Sequence, residues 1–189
     1  METGNDLGRV GCGASEDASA PVHPPSGHSG RVSRLGFGGV ETISEALAAS
    51  AKGASEFTRS LFSEDLWTGE QVVAFINQQR NATIASTNTN AQPHAAVVIA
   101  ASVHEAMYFT VAPSSVLARN LAVNARIGFS VCDSRHAVMG QGFGVRVGQA
   151  GSVARLIGEL AQASPSGRFT PEGWEGDIYR VDFRRIFAN

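Results

Sequence analysis

The sequence predicts a mainly β fold with peripheral α-helices, in which six strands close into a Greek-key barrel. Three observations carry this. Residues 81–131 give, in order, two apolar strands around a polar turn, a third strand, a short helix and a fourth strand. Two more stretches of strand character follow, over 143–156 and 177–187. A chain of 189 residues supports one domain with a real core, and no internal repeat divides it. Closing the sheet removes the exposed edges that six such strands would otherwise leave.

Residues 1–38 are rich in Gly, Ser, Pro and Ala, with Pro21, Pro24 and Pro25 close together. Few apolar side chains offset the ordering entropy, so this stretch reads as a disordered tail. His23 and His28 fall in it without acidic or cysteine neighbours and read as solvated. Residues 39–66 read as an N-terminal helical extension. Ile43, Leu47, Phe57, Leu61 and Phe62 form a broken apolar face over an Ala-rich middle that Gly53 weakens.

Residues 67–189 hold the barrel. Thr68-Gly69-Glu70-Gln71 is a capping box, and Val72, Val73, Phe75 and Ile76 are the buried face of a helix ending near Arg80. Strand one, 82–87, alternates Thr83 and Ala85 with Ala82, Ile84 and Ser86. Asn88-Thr89-Asn90 is a turn. Strand two, 93–101, carries Val97-Val98-Ile99, apolar on both faces as in a strand covered on each side. Strand three is 106–111. A helix over 114–124 places Leu117 and Leu121 on one face. Strand four is 126–132. A polar connection, 133–142, contains Arg135, His136 and Gln141. A long strand over 143–156 sets Val145, Val147, Gln149, Gly151 and Val153 on one face. Gly158, Pro165, Gly167 and Pro171 mark 157–176 as a helix or loop insertion before the last strand, 177–187.

The formal net charge of -2 gives no basic field for nucleic acid. No apolar run approaches the roughly 20 residues of a membrane span. The N-terminus lacks the charged start and apolar segment of a secretory signal. Cys12 and Cys132 lie far apart without CxxC partners, so neither a disulfide nor a zinc site is expected, and the cytoplasm is the expected compartment. Of the 15 basic residues only Lys52 is lysine. Any phosphate held by the barrel therefore meets Arg, hydroxyls and backbone N–H groups.

The stretch Pro113-Ser114-Ser115-Val116-Leu117-Ala118-Arg119-Asn120 is the first place where chemistry could sit. A helix N-terminus offers unpaired N–H groups and a partial positive charge to a phosphate, and Ser114 and Ser115 add hydroxyls. Plain N-capping is the other use of these serines. Arg135 and His136 lie in a loop, facing either solvent or a substrate carboxylate. No P-loop, paired-carboxylate or Ser-His-Asp spacing is present, and Gly140-Gln141-Gly142-Phe143-Gly144 is followed by no strand-to-helix transition of a dinucleotide fingerprint.

The strand order over 68–187, with Ser115-Val116-Leu117-Ala118-Arg119-Asn120-Leu121 after strand three, resembles the FMN-binding split barrel of the pyridoxamine 5'-phosphate oxidase-like superfamily. There the segment reads Ser-x-Lys-x-x-Asn-Leu, and the Lys contacts the cofactor phosphate. Ser115, Asn120 and Leu121 match, whereas Leu117 stands where the Lys would be, with Arg119 or Arg126 as the replacement charges. Gln92-Pro93-His94 is similar to the Gly-x-Pro-His of looser relatives. The resemblance implies that strand two presents His94 and the backbone of Ala96, Val97 and Val98 to a flavin ring. It places Phe109 and Thr110 beside the cofactor, the phosphate at Ser114, Ser115 and Arg119 with Asn120 nearby, and Gln141 near the flavin.

A homodimer with the flavin between subunits is implied, as is an FMN-dependent oxidoreductase acting on a small-molecule substrate. A deazaflavin-coenzyme-dependent reductase and a non-catalytic flavin- or haem-binding barrel are the alternatives. The Arg-rich C-terminal substrate segment of pyridoxamine 5'-phosphate oxidase itself is not evident after Asp182-Phe183-Arg184-Arg185-Ile186-Phe187.

Overall fold

The computed structural model describes residues 42–58 and 67–189. The expected tail, and 59–66 of the expected helical extension, lie outside the described residues. Helix α1 (Ile43–Lys52) starts on Thr42, whose hydroxyl accepts from the Glu45 amide at 3.3 Å. It buries Ile43, Ala46 and Ser50. Helix α2 (Gly69–Gln79) has the capping box read from Thr68 and Gln71, and ends on Arg80 in the left-handed conformation (φ 61).

The strands are β1 (Asn81–Thr87), β2 (Pro93–Val103), β3 (Ala106–Val111), β4 (Arg126–Cys132), β5 (Ala137–Gln149) and β6 (Asp177–Ala188). Helix α3 (Val116–Val123) joins β3 to β4, and α4 (Ala154–Ala163) lies between β5 and β6. All ladders are antiparallel, and the described strands close in the order β1-β2-β3-β6-β5-β4. Closure leaves the barrel interior to apolar side chains. Ile84, Phe109, Phe129, Val131, Val181 and Phe183 are buried there, with Phe129 edge-on to Phe183 at 5.7 Å between ring centres. A smaller cluster of Ala101, Leu160, Phe169 and Ile178 forms where α4 covers the outside of β2 and β6. The second half of β2 is thus covered on both faces, but Val97 is 73% exposed, so the double cover begins later than the Val97-Val98-Ile99 run suggests.

The fifth strand departs from the sequence reading. It begins at Ala137 and ends at Gln149, so the expected polar connection is mostly strand. Residues 150–153 form a 3-10 turn and 154–163 a helix, in place of the strand expected to run on to 156. Glycine was the misleading signal. A Cβ on Gly140 would collide with the Arg185 carbonyl oxygen, and one on Gly142 with that of Asp182, so these glycines mark close backbone approach within a sheet. The expected one-sided face fails as well. Val145 is half-buried and Val147 exposed, because the pairing with β6 slips between Arg146 and Gly148.

Asn77 ties α2 to the barrel. Its amide donates to the Ser102 carbonyl at 2.9 Å and its carbonyl accepts from the Ser102 amide at 2.7 Å, all buried. Asn77→Leu leaves both strand groups without partners at about 1–3 kcal/mol each. The expected outcome is a lower chemical-denaturation midpoint with an unchanged slope. A midpoint equal to the parent's would show that Asn77 does not anchor the helix.

Candidate functional site

The ladder between β2 and β3 is short. Ala100 to Val103 pair with β3, but Pro93 to Ile99 have β1 on one side and no described strand on the other. Beyond this point β3 keeps only the ladder to β6 on its other edge, and Thr110 reaches back to β2 only through its hydroxyl, 3.5 Å from the Ile99 carbonyl. In an antiparallel strand alternate residues turn their N–H and C=O groups to each side. Residues 93–99 therefore offer a row of backbone donors and acceptors along an open edge.

Helix α3 stands at this split end and packs on β1 and β2. Ser115 is its N-cap, accepting from the Ala118 amide at 3.0 Å. The Arg119 amide bonds the Ser115 carbonyl at 3.3 Å. Among the described residues the amides of Val116 and Leu117 have no acceptor, as expected at a helix start. Ser114 is exposed, and the Arg119 guanidinium folds back to donate to the Ser114 carbonyl at 2.9 Å. Two open amides, a free-facing hydroxyl and one guanidinium thus meet at one helix end. That donor set fits a phosphate.

The other face of α3 is structural. Leu117 and Leu121 are buried in the main core, so the position matched to lysine points into the barrel. Asn120 is 3% exposed and donates to Ser86 Oγ at 3.0 Å, while Asn124 donates to Thr87 Oγ1 at 2.9 Å. Ser86 is the cross-strand partner of His94. The half-buried His94 stands on the same side of β2 as Ala96, Val98 and Ala100. Its Nδ1 is buried and has no hydrogen-bond partner. Ser86 was missed by the motif reading, although its place in the Ala82-Ile84-Ser86 alternation marks it as inward-facing.

The structure puts Ser114, Ser115 and Arg119 at one helix end, turns the Thr110 hydroxyl to the Ile99 carbonyl, and bonds Asn120 to Ser86, the ladder partner of His94. Phe109 does not line this corner. It is fully buried and stacks on Tyr179 with ring centres 5.6 Å apart. Burial in that stack, with the Asp177 carboxylate adding to it, pushes the Tyr179 phenol above its ordinary range. Val97 projects outward, whereas Ala96 and Val98 are half-buried. Gln141 sits on β5 opposite Gly128, and Arg126 lies beyond the far end of α3. Arg135 and His136 are in the β4–β5 turn. Their amides both donate to Asp133 at 2.7 Å and hold that carboxyl below the usual range. The His136 ring lies 5.4 Å from Trp67 and 6.2 Å from Phe75, against α2 rather than α3. Among the described residues no group of His, Cys, Asp and Glu could hold a metal ion, and no helix is long and apolar enough to cross a membrane.

No family model and no curated protein matches this sequence. Solved structures do match in fold. A hypothetical protein, Rv2991 of Mycobacterium tuberculosis, superposes with a TM-score of 0.54 at 19% identity, over 67% of this chain and 86% of that one. Atu2129 of Agrobacterium tumefaciens, of unknown function, gives 0.51 at 16% identity, over 62% of this chain; the match spans only 55% of that protein. A Listeria innocua protein provisionally named a pyridoxamine 5'-phosphate oxidase gives 0.49 at 12% identity, over 64% and 96%. The fold, a closed six-stranded antiparallel barrel with peripheral helices, is shared with the Mycobacterium tuberculosis and Agrobacterium tumefaciens structures. The open edge of β2 is the split in this barrel.

Because Leu117 is buried, restoring the superfamily's lysine here does not restore a phosphate contact. Leu117→Lys places an ammonium in the core without a partner, at a cost of about 3 kcal/mol or more. The expected result is a large fall in melting temperature with no gain in affinity for inorganic phosphate. A variant as stable as the parent would show that the side chain at 117 can swing out to the surface.

Proposed function

We propose that the protein is an FMN-dependent oxidoreductase acting on a small molecule. The observation that carries this is the unpaired edge of β2 at the end of the barrel where α3 presents its N-terminus. One element offers hydrogen-bonding groups to the rim of a planar heterocycle, and the other offers amides and hydroxyls to a phosphate. In this reading Ser114, Ser115, the Val116 and Leu117 amides and Arg119 hold the phosphate. The backbone of Ala96 to Val98 orients the ring, and Thr110 closes the corner. Bound FMN supplies the redox chemistry, and the protein positions and polarises it. His94, with a buried ring nitrogen still to be satisfied, is the side chain placed to hydrogen-bond a ligand from the barrel side.

The partner in this reading is a second copy of the chain. On the outer face of β1, β2 and β4, Thr83, Ala85, Ala95, Val97, Gly128 and Ser130 form an uncharged patch, with Arg126 at one end of β4. Such a surface of small and apolar side chains suits sheet-on-sheet packing. The compartment is a reducing cytoplasm, where the exposed Cys132 stays a free thiol.

Titration of the purified chain with FMN, followed by absorbance and by quenching of flavin fluorescence, tests the cofactor. Saturable micromolar binding is expected, weakened tenfold or more in Ser115→Ala and in Arg119→Ala. Riboflavin, which lacks the phosphate, is expected to bind weakly and equally to all three proteins. No binding of FMN would overturn the reading and leave a deazaflavin coenzyme or haem as the ligand to try. For the assembly, Val97→Glu is expected to convert a dimer to a monomer in light scattering. A variant that stays dimeric would place the interface elsewhere.

A further inference from the structure

A second feature lies at the other end of α3. The pairing of β5 with β6 slips between Gln141 and Gly142: Gln141 faces Arg185, Gly142 faces Phe183, and Arg184 falls between these two pairs in the register. This is a β-bulge in β6. It reverses the inward–outward phase of the strand, so that Phe183 and Ile186 are both buried while Arg184 and Arg185 between them are both exposed. Gly142 permits it, because any side chain there would strike the Asp182 carbonyl. A regular strand would turn one of these two arginines into the barrel. The bulge directs both guanidiniums to the same side of the sheet, a common use of bulges.

These arginines meet a third. Arg126, the first residue of β4, pairs with Phe143 on the next strand, and the three arginines line one cavity of about 520 Å³ with Gln141, Gly142 and Phe143. The Arg184 guanidinium lies over the Phe143 ring at 5.4 Å, which fixes its plane. A smaller adjoining hollow of about 400 Å³ shares Arg126, Phe143 and Arg184. Among the described residues no acidic side chain lines either. Nearby Asp182 is taken up by Arg180 at 2.9 Å. Among the described residues neither Arg126 nor Arg185 has a side-chain ion pair. Since α3 is eight residues long, this cavity is separated from the Ser115 corner by about 12 Å of helix.

We propose that Arg126, Arg184 and Arg185 form a binding site for the phosphate or carboxylate groups of a small organic anion. Planar guanidiniums match both oxyanions with paired hydrogen bonds, and the Gln141 side chain adds a neutral donor. Arg126 and Arg185 are like charges on one concave wall, and a bound dianion removes their repulsion. Their gathering into one cavity, on a chain of net charge -2, fits a compact ligand rather than a nucleic-acid backbone, which needs an extended basic stripe. The site does not depend on a flavin at α3.

Thermal unfolding of the full chain in inorganic phosphate and, separately, in citrate tests it, with ionic strength held constant by sodium chloride. The expected result is a saturable rise in melting temperature with at least one of the two. That rise is lost in Arg126→Gln and in Arg185→Gln and kept in Arg155→Gln, a charge-matched change on α4 at an exposed position. A response to phosphate alone identifies phosphate esters as the ligand class; a response to citrate alone identifies carboxylates. Equal responses in parent and in the Arg126 and Arg185 variants, or no response to either anion, would overturn the proposal. FMN affinity measured on the same variants separates failure here from failure of the flavin reading.

Discussion

Every backbone N–H and C=O in a barrel needs a partner, and here the pairing falls one strand short along the first half of β2. The rest of the molecule is arranged around that shortfall. β3 leaves β2 after four residue pairs, while its other edge runs along β6 in the ladder that closes the sheet. The departure opens the end of the barrel, and α3 occupies the opening. A closed ladder at this point would be more stable and would have no recognition edge. The parting of two strands therefore sets both the weak point of the sheet and its capacity to bind.

Helix α3 carries two tasks on opposite sides. Leu117 and Leu121 close the core under the opening, and Asn120 and Asn124 fasten the helix to β1 through Ser86 and Thr87. Its N-terminus is left facing outward with open amides. Leu117, on the inner side of the helix, serves core packing rather than the site. Positive charge is still present, as Arg119 folded onto Ser114 and as three arginines beyond the far end of the helix.

Most of the fold was legible in the residues. Apolar alternation located β1 and β4, the capping box located α2, and β3 matched at both ends. The fifth strand was not legible, because Gly140, Gly142 and Gly144 look like a loop in sequence. They are strand residues whose missing side chains make room for the backbone of β6 or for packed core side chains. The bulge hid the arginine cavity in the same way. Arg184 and Arg185 are neighbours in sequence and would face opposite sides of a regular strand, so nothing local joins them to Arg126. At the α3 corner, Ser114 and Ser115 are legible as the start of a helix, and Asn120 enters only through the resemblance. Ser86 could not be picked out by motif, because its role depends on a helix more than thirty residues later.

The turn between β2 and β3 has a further consequence. His104 and Glu105 both have positive φ, the tight-turn geometry of a two-residue hairpin. Glu105 then caps α1 from outside: its carbonyl accepts from the Ile43 amide at 2.9 Å, and its carboxylate from the Ser44 amide at 3.1 Å. A ten-residue helix is marginal alone in water. Its first turn is completed by groups that reach their positions only after the hairpin sixty residues downstream has formed. The start of helix α1 is thus held by the barrel as well as by its own cap, Thr42.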